Sequence, residues 1–307
     1  MIEIRGLCKN YEISYRSGFF RSKKVKKSAL RNITLAFDSP EIIGLVGNNG
    51  AGKTTLMKLI CGLLHPSSGK ISILGEDPFK KTKSLLSKIA FLSGRKDSLT
   101  WDLPVCDSFK LHGYIYGLEK RSCILQYEKL ADLFSATNLL QKQARALSLG
   151  ERMKCELIKS LLHKPRILLL DEPTIGLDLE TQLTFRKYIR LVKEEEKSLI
   201  LLSSHNMEDI SHTCSRMVGL SEGQVVFNDF LSEVVNNRSS DSQYRISYEN
   251  SMDETLHEII CDISDIPEEI DKLRKNDKIR VISIRQEEKT FSQSIMDIIS
   301  TKNLDHA

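Results

Sequence analysis

A glycine-rich loop between a short apolar run and a helix-like segment limits the possible folds of this chain more than any other feature. Residues 41–46 are typical of a buried parallel strand, and residues 56–64 have helical periodicity. Between them lies the pattern of a phosphate-binding loop, Gly47-x4-Gly52-Lys53-Thr54. Its glycines allow backbone N–H groups to turn toward one anion, and the N-terminus of the following helix adds partial positive charge. The pattern therefore predicts an α/β fold that binds a nucleoside triphosphate.

The residues of this loop have different expected tasks. The ammonium group of Lys53 is expected to reach the β- and γ-phosphates, and the hydroxyl of Thr54 to face Mg²⁺. We expect nucleotide contacts from the whole loop, which comprises Gly47, Asn48, Asn49, Gly50, Ala51, Gly52, Lys53, Thr54 and Thr55.

Composition excludes several classes of protein. A net charge of +4 over 307 residues is too small to indicate nucleic-acid binding by itself. The seven cysteines are scattered and show no metal-ligand spacing, which indicates reduced thiols in the cytosol. No apolar run approaches the ~20 residues that span a bilayer, so any membrane-embedded part is expected on another chain.

The order of elements predicts the rest of the architecture. Residues 1–8, 29–37, 70–74 and 89–92 have strand patterns, and a helical insertion covers about residues 98–162, with helices over 105–116, 124–134 and 150–162. The aliphatic run 166–170 ends on Asp171 and Glu172, where ligands bind in parallel α/β sheets. A further buried strand, 199–204, precedes His205, and residues 217–220 and 224–227 are expected to form a closing antiparallel pair.

Composition changes after residue 236, which indicates a linker. Beyond it, residues 243–307 are expected to form a small α+β accessory domain, with strands over 244–248, 258–263 and 278–284 and helices over 267–275 and 291–299.

A basic segment, residues 16–28, contains six Lys or Arg residues and no acid. It has two interpretations, a solvated loop or a basic surface that contacts anionic lipid, where each cation contributes about 1 kcal/mol.

The order of motifs resembles the ATP-binding cassette of ABC transporters. The phosphate loop, the helical insertion, Leu147-Ser-Leu-Gly-Glu151, Leu-Leu-Asp171-Glu172-Pro, Gly176-Leu-Asp178 and Ser204-His205 occur in that family's order, over about residues 1–236. Several stretches resemble the drug- and multidrug-export type: Asp102-Leu-Pro104, Ser148-Leu-Gly-Glu-Arg-Met153 and Asp171-Glu-Pro-Thr-Ile-Gly-Leu-Asp178. The expected fold is thus a P-loop cassette with a mixed sheet core, an antiparallel β subdomain and a helical insertion.

The resemblance implies roles for particular residues and partners. Asp171, with Thr54, is expected to hold the hydration shell of Mg²⁺, since that ion takes few protein ligands. Glu172 is expected to orient or deprotonate the attacking water, and His205 to contact the γ-phosphate of ATP. The resemblance also implies that Tyr11 stacks on the adenine, and that Ser148, Gly150 and Glu151 contact the ATP of an opposite protomer. A separate polytopic permease, a nucleotide-dependent dimer and a peripheral location on the cytoplasmic face of the membrane are also implied, without nucleic acid.

The sequence departs from the family pattern at three positions. The family's signature motif, here residues 147–151, has Leu149 where glycine is usual and Glu151 where glutamine is usual. An alignment anchored on residues 101–104 places Arg95 where the family has a glutamine that touches Mg²⁺. Since arginine has no acceptor atom, it cannot be a metal ligand.

Two functions from different classes fit the motifs. The first is the energy-coupling ATPase subunit of an ABC exporter. The second is a soluble ABC-family ATPase that acts on ribosomes or nucleic acid; its relatives usually carry two cassettes or long heptad arms, which this chain lacks. A P-loop kinase or GTPase would have no use for residues 147–151 or His205.

Overall fold

The computed structural model describes residues 1–16, 22–93, 98–236, 243–250, 255–262, 265–274, 279–287 and 295. The chain divides into two compact units, Met1–Asp229 and Phe230–Ala307. Arg95 lies outside the described residues, as does the helix predicted over 291–299 except for Ile295.

A six-stranded sheet forms the centre of the first unit, with the order β5-β6-β7-β3-β8-β9. Its strands are β3 (Ile42–Val46), β5 (Ile89–Ser93), β6 (Ile167–Asp171), β7 (Leu199–Ser203), β8 (Arg216–Ser221) and β9 (Gln224–Phe230). The five neighbouring strands β5, β6, β7, β3 and β8 are parallel to one another. Every residue of β3, β6 and β7 is buried. Because these strands are covered on both faces, they are continuous aliphatic runs. Their carboxyl ends therefore meet at one edge, which carries the candidate site.

A second, antiparallel sheet contains β1 (Ile2–Arg16), β2 (Ser22–Phe37) and β4 (Ser68–Ile73), with β1 in the middle. The solvated-loop interpretation of residues 16–28 is wrong for residues 22–28, which are part of β2 and pair with β1. β4 pairs with β1 only as far as Cys8, so residues 11–16 and 22–27 form a two-stranded ribbon beyond the third strand. The sequence of residues 22–28 did not predict a strand because its lysines interrupt the alternation of apolar and polar residues. An exposed edge ribbon tolerates charge and does not need that alternation.

Seven helices of the described part of the first unit connect these strands: α1 (Lys53–Ile60), α2 (Lys83–Leu86), α3 (Val105–Ile115), α4 (Lys120–Leu133), α5 (Leu149–Leu161), α6 (Leu179–Glu195) and α7 (Met207–Thr213). α3, α4 and α5 form the predicted helical insertion and bury Phe109, Tyr127 and Leu157. α1 begins at Lys53, before the helical periodicity in the sequence, because its first turn is polar and faces the candidate site.

The second unit is an α+β assembly. It contains α8 (Leu231–Asn236), β10 (Gln243–Asn250), β11 (Thr255–Asp262), α9 (Ile266–Arg274) and β12 (Ile279–Glu287). The strands form an antiparallel sheet of order β11-β10-β12, with Ile246, Cys261 and Leu273 in its core.

Across the described residues, no helix combines the length and apolar character needed to cross a bilayer.

Candidate nucleotide-binding site

The phosphate loop connects the carboxyl end of β3 to α1, and its backbone requires glycine at two points. Gly47 has φ of 147°, and a Cβ there would lie 2.1 Å from the carbonyl oxygen of Leu220. Gly52 has φ of 111°, and its Cβ would lie 2.6 Å from the side chain of Leu30. Gly52 is also the N-cap residue of α1, and it offers no side chain to the first N–H groups of that helix. The first turn of α1 therefore presents unpaired donors to an anion.

The side chain of Lys53 is folded over this loop. Its ammonium group donates to the carbonyl oxygens of Gly47, at 2.6 Å, and Asn48, at 3.2 Å. Burial lowers the pKa of Lys53, while the carboxylates of Glu172 and Asp171 oppose that shift. A buried cation whose partners are mainly neutral carbonyls is suited to donate hydrogen bonds to a phosphate oxygen.

Two hydroxyl groups hold Asp171 at the end of β6. Thr54 Oγ1 donates to Asp171 Oδ2 at 2.8 Å, and Ser203 Oγ donates to Asp171 Oδ1 at 2.8 Å. The two residues predicted to serve Mg²⁺ are thus in direct contact, although 117 positions separate them in the chain. A hydroxyl beside a carboxylate is the hard-oxygen donor set that Mg²⁺ prefers, so these residues fit that ion.

Glu172 follows Asp171 in a left-handed conformation, with φ of 57°. Its N–H group donates to Ser203 O at 3.1 Å and to Ser203 Oγ at 3.2 Å, which holds this unusual backbone in place. Its Oε2 atom accepts the backbone N–H of His205 at 3.1 Å. Its Oε1 atom is buried without a hydrogen-bond partner among the described residues and lies 3.4 Å from His205 Nε2. This carboxylate oxygen therefore has hydrogen-bond acceptor capacity that no described group uses.

These groups surround one cleft of about 590 Å³. It brings together predicted residues from three chain segments, and it adds Ala29, Lys58 and Ser93, which the sequence did not indicate. Its lining is Ala29, Asn49, Gly50, Ala51, Gly52, Lys53, Thr54, Thr55, Lys58, Ser93, Asp171, Glu172 and His205. The side chain of His205 is half exposed, so it is accessible to a ligand in the cleft.

The predicted signature residues do not line this cleft. Ser148 is the N-cap of α5 and accepts the N–H of Glu151, while the Glu151 carboxylate accepts the N–H of Ser148, which completes a capping box. Glu151 also pairs with Lys142 at 2.9 Å, and that hydrogen bond is the largest cause of its lowered pKa. Leu149, the first residue of α5, is 57% exposed. Gly150 is packed closely, since a Cβ there would lie 2.4 Å from the carbonyl oxygen of Gly176.

Tyr11 also lies outside the residues that line the cleft. It is on β1, opposite Lys27, and its ring is 37% exposed. The ammonium group of Lys9 lies 5.3 Å from the ring centroid, within the range of a cation–π contact. One face of the ring is thus occupied by a cation.

Ser203 is a residue of the candidate site that sequence reasoning missed. It donates to the carboxylate of Asp171, accepts the backbone N–H of Glu172 and is completely buried. Serine ends many strands, so the sequence carries no signal that separates this position from an ordinary core polar residue.

Comparison with known proteins connects this geometry to a family. The profile of the family described as ABC transporter matches residues 30–175. The ABC transporter ATP-binding protein NatA of Bacillus subtilis is 33% identical over 226 residues, which cover 73% of this chain and 92% of NatA. The probable multidrug ABC transporter ATP-binding protein YbhF of Escherichia coli is 28% identical over 231 residues, covering 75% of this chain and 39% of YbhF.

Solved structures show the same fold. The ATP-binding cassette MJ0796, solved as a dimer in a post-hydrolysis state bound to ADP and Pi, superposes with a TM-score of 0.66 at 20% sequence identity. The superposition covers 75% of this chain and 99% of that cassette. The fold predicted from the motif order, a P-loop cassette, is therefore confirmed.

Proposed function

Because this chain belongs to the family of ABC transporter ATP-binding proteins, we propose that it is the energy-coupling subunit of an ABC exporter and works with a separate membrane permease. The chain is an ATPase of the cassette type. The observation that carries the proposed chemistry is the convergence of Thr54, Asp171, Glu172 and His205 on the phosphate-loop cleft.

Each residue of the cleft has a separate proposed task. Backbone N–H groups of the loop and α1, together with Lys53, bind the β- and γ-phosphates of ATP. Thr54 and Asp171 would hold Mg²⁺, which supplies charge neutralisation of the phosphate oxygens when bound. Glu172 Oε1, which has no hydrogen-bond partner among the residues that the structure describes, accepts a proton from the attacking water, and His205 contacts the γ-phosphate.

We also propose that ATP joins two cassettes. Ser148, Gly150 and Glu151 lie away from the cleft of their own chain, at the N-terminus of α5, where backbone donors are suited to an anion. The capping box holds that N-terminus in shape. The related cassette MJ0796 was solved as a dimer, which supports this arrangement. Tyr11 remains our candidate for stacking on adenine.

The exposed apolar surface of the helical insertion supports the proposal of a permease partner. On α3, Leu111, Tyr114 and Ile115 are between 46% and 66% exposed, which is unusual for large apolar side chains of one short helix. We assign this face to the permease. Export, rather than import, is supported by the motif resemblance and by the description of YbhF as a probable multidrug protein. Residues 243–307 are proposed to be an accessory domain with no part in hydrolysis.

The basic ribbon of β1 and β2 is proposed to contact anionic lipid. Lys26 and Lys27 are exposed on it, beside Val25, which is 42% exposed. Such a surface would help to hold the protein at the cytoplasmic face of the membrane.

The decisive experiment is purification of the chain under native conditions from a whole-cell lysate in mild detergent, without nuclease. A polytopic protein that co-purifies in fixed ratio and stimulates ATP hydrolysis supports the proposal. Sedimentation with ribosomes or nucleic acid, and ATPase stimulation by them rather than by a membrane protein, would favour the other class of ABC ATPase. The variant Leu111→Ser/Ile115→Ser is expected no longer to co-purify with the permease. Leu125→Ser changes an exposed leucine on α4 and is the matched control, which should co-purify as the wild type does.

A further inference from the structure

A buried carboxylate outside the cleft connects the two loops that carry the catalytic side chains. Asp209, on α7, is completely buried. Its Oδ2 atom accepts hydrogen bonds from Thr174 Oγ1 at 2.6 Å and from Ser204 Oγ at 3.1 Å. Its Oδ1 atom pairs with Arg186 Nε, on α6, at 2.7 Å. The charge of Asp209 is thus neutralised on one side, and its other oxygen is shared between two hydroxyl groups.

The two hydroxyl donors belong to different loops. Thr174 follows β6 and lies two residues after Glu172, whereas Ser204 follows β7 and directly precedes His205. Both side chains are at most 5% exposed, so water cannot replace the carboxylate as their partner without a rearrangement. Asp209 Oδ2 therefore links the loop of Glu172 to the loop of His205, in addition to the direct hydrogen bonds of Glu172 with Ser203 and His205.

The relative position of the two loops matters for the proposed chemistry. Two distances depend on the positions of both loops. Glu172 Oε2 accepts the N–H of His205 at 3.1 Å, and Glu172 Oε1 lies 3.4 Å from His205 Nε2. Glu172 also has a left-handed backbone, which persists only where the surroundings hold it. Small shifts in either loop would move the carboxylate away from its substrate, and general-base catalysis is sensitive to such shifts.

We propose that Asp209 is a positioning residue for ATP hydrolysis: through Thr174 and Ser204 it holds Glu172 and His205 in their reactive arrangement. The inference rests on the proposed role of Glu172. It assigns to Asp209 no contact with nucleotide, water or metal.

The test removes the two hydroxyl groups and leaves the pair of Asp209 with Arg186 intact. Thr174→Val and Ser204→Ala are each expected to lower kcat about tenfold, the effect of losing one hydrogen bond to a charged group, with KM for ATP within about twofold. The double variant is expected to be about as slow as either single variant, because each substitution already breaks the connection. Thr174→Ser restores the hydroxyl group and is expected to restore kcat.

Thr213→Val is the matched control. The Thr213 hydroxyl is also buried on α7, but it donates to the backbone carbonyl of Asp209 and joins no second loop. This variant is expected to lower thermal stability by an amount similar to Thr174→Val while its kcat stays unchanged.

Two results would overturn the inference. One is an unchanged kcat in both single variants, and the other is a double variant whose loss is the product of the two single losses. Failure of the proposed function is recognised separately with Glu172→Gln: if that variant hydrolyses ATP normally, the assignment of Glu172 is wrong. If Glu172→Gln is inactive while Thr174→Val and Ser204→Ala are normal, only the role of Asp209 is rejected.

Discussion

Glu172→Gln is the substitution that separates ATP binding from ATP hydrolysis in this protein. The amide oxygen of glutamine can accept the N–H of His205, as Glu172 Oε2 does at 3.1 Å, and the N–H of residue 172 keeps its bonds to Ser203. The shape of the site is therefore preserved. What is lost is the proton-accepting oxygen Oε1, which is buried without a hydrogen-bond partner among the described residues.

The expected magnitude follows from the loss of general-base catalysis. Such catalysis contributes about 10²–10⁴ in rate, so the activation free energy is expected to rise by about 2.7–5.5 kcal/mol. ATP affinity is expected to stay equal or to increase, because a negative charge near the phosphates is removed. A variant that binds ATP but cannot hydrolyse it should accumulate as the dimer.

Three measurements test these expectations. The hydrolysis rate is measured as phosphate release at saturating ATP, and the affinity as equilibrium binding of a fluorescent ATP analogue. The oligomeric state is measured as molar mass by light scattering with Mg-ATP. Glu128→Gln, which removes an exposed carboxylate on α4, is the control for the change in net charge and should resemble the wild type. Hydrolysis within threefold of the wild-type rate would refute the assignment of Glu172. An inactive variant that remains monomeric with Mg-ATP would contradict the proposed dimer while leaving the catalytic assignment in place.

Three further predictions address other parts of the chain. Lys53→Ala is expected to weaken ATP binding itself by at least tenfold, since a charge-assisted phosphate contact is lost; unchanged affinity in the nucleotide titration would contradict its role. Replacing four lysines of the basic ribbon by Gln should reduce binding to anionic vesicles; the four are Lys23, Lys24, Lys26 and Lys27. Addition of 0.5 M salt, where the Debye length is about 4 Å, should reduce vesicle binding likewise. The control variant Lys80→Gln/Lys81→Gln/Lys83→Gln should bind the vesicles as the wild type does. Burial lowers the pKa of His112 to about 3 and that of His163 to about 4. Because an unfolded histidine takes up its proton near pH 6.5, the free energy of unfolding should fall by about 1.4 kcal/mol per pH unit for each histidine as pH decreases below that value; a His112→Gln/His163→Gln variant should show a flatter dependence of Tm on pH between 7 and 5.

The two histidines illustrate what local patterns do not reveal. His112 Nε2 lies 3.1 Å from His163 Nδ1, and the ring of Tyr116 stacks on both. Three aromatic residues from the end of α3 and the end of α5 form one neutral cluster, and none of them belongs to a motif. Their pairing depends on how the helical insertion folds onto β5, which no short stretch of sequence encodes.

The parts of the site that are contiguous in the chain could be predicted from the sequence. The phosphate loop, the acids at the end of β6 and the position of His205 after β7 follow from local rules, because glycine spacing, strand periodicity and the carboxyl edge of a parallel sheet are short-range properties. The order of these motifs then implied the family and the fold. The interpretation of residues 22–28 as a solvated loop is wrong because local rules do not detect their pairing with β1, which is a long-range contact. Their lysines also obscure the local strand pattern.

The way in which the separate segments support one another is visible only in the folded chain. Thr54 and Asp171 meet across 117 positions, and Thr174 and Asp209 across 35. Ser203 and Asp209 have ordinary residue types at ordinary positions, so nothing in the sequence distinguishes them from core polar residues. They gain their significance because burial removes water as an alternative partner, and each hydroxyl and carboxylate must then be satisfied by whatever group the fold brings within reach.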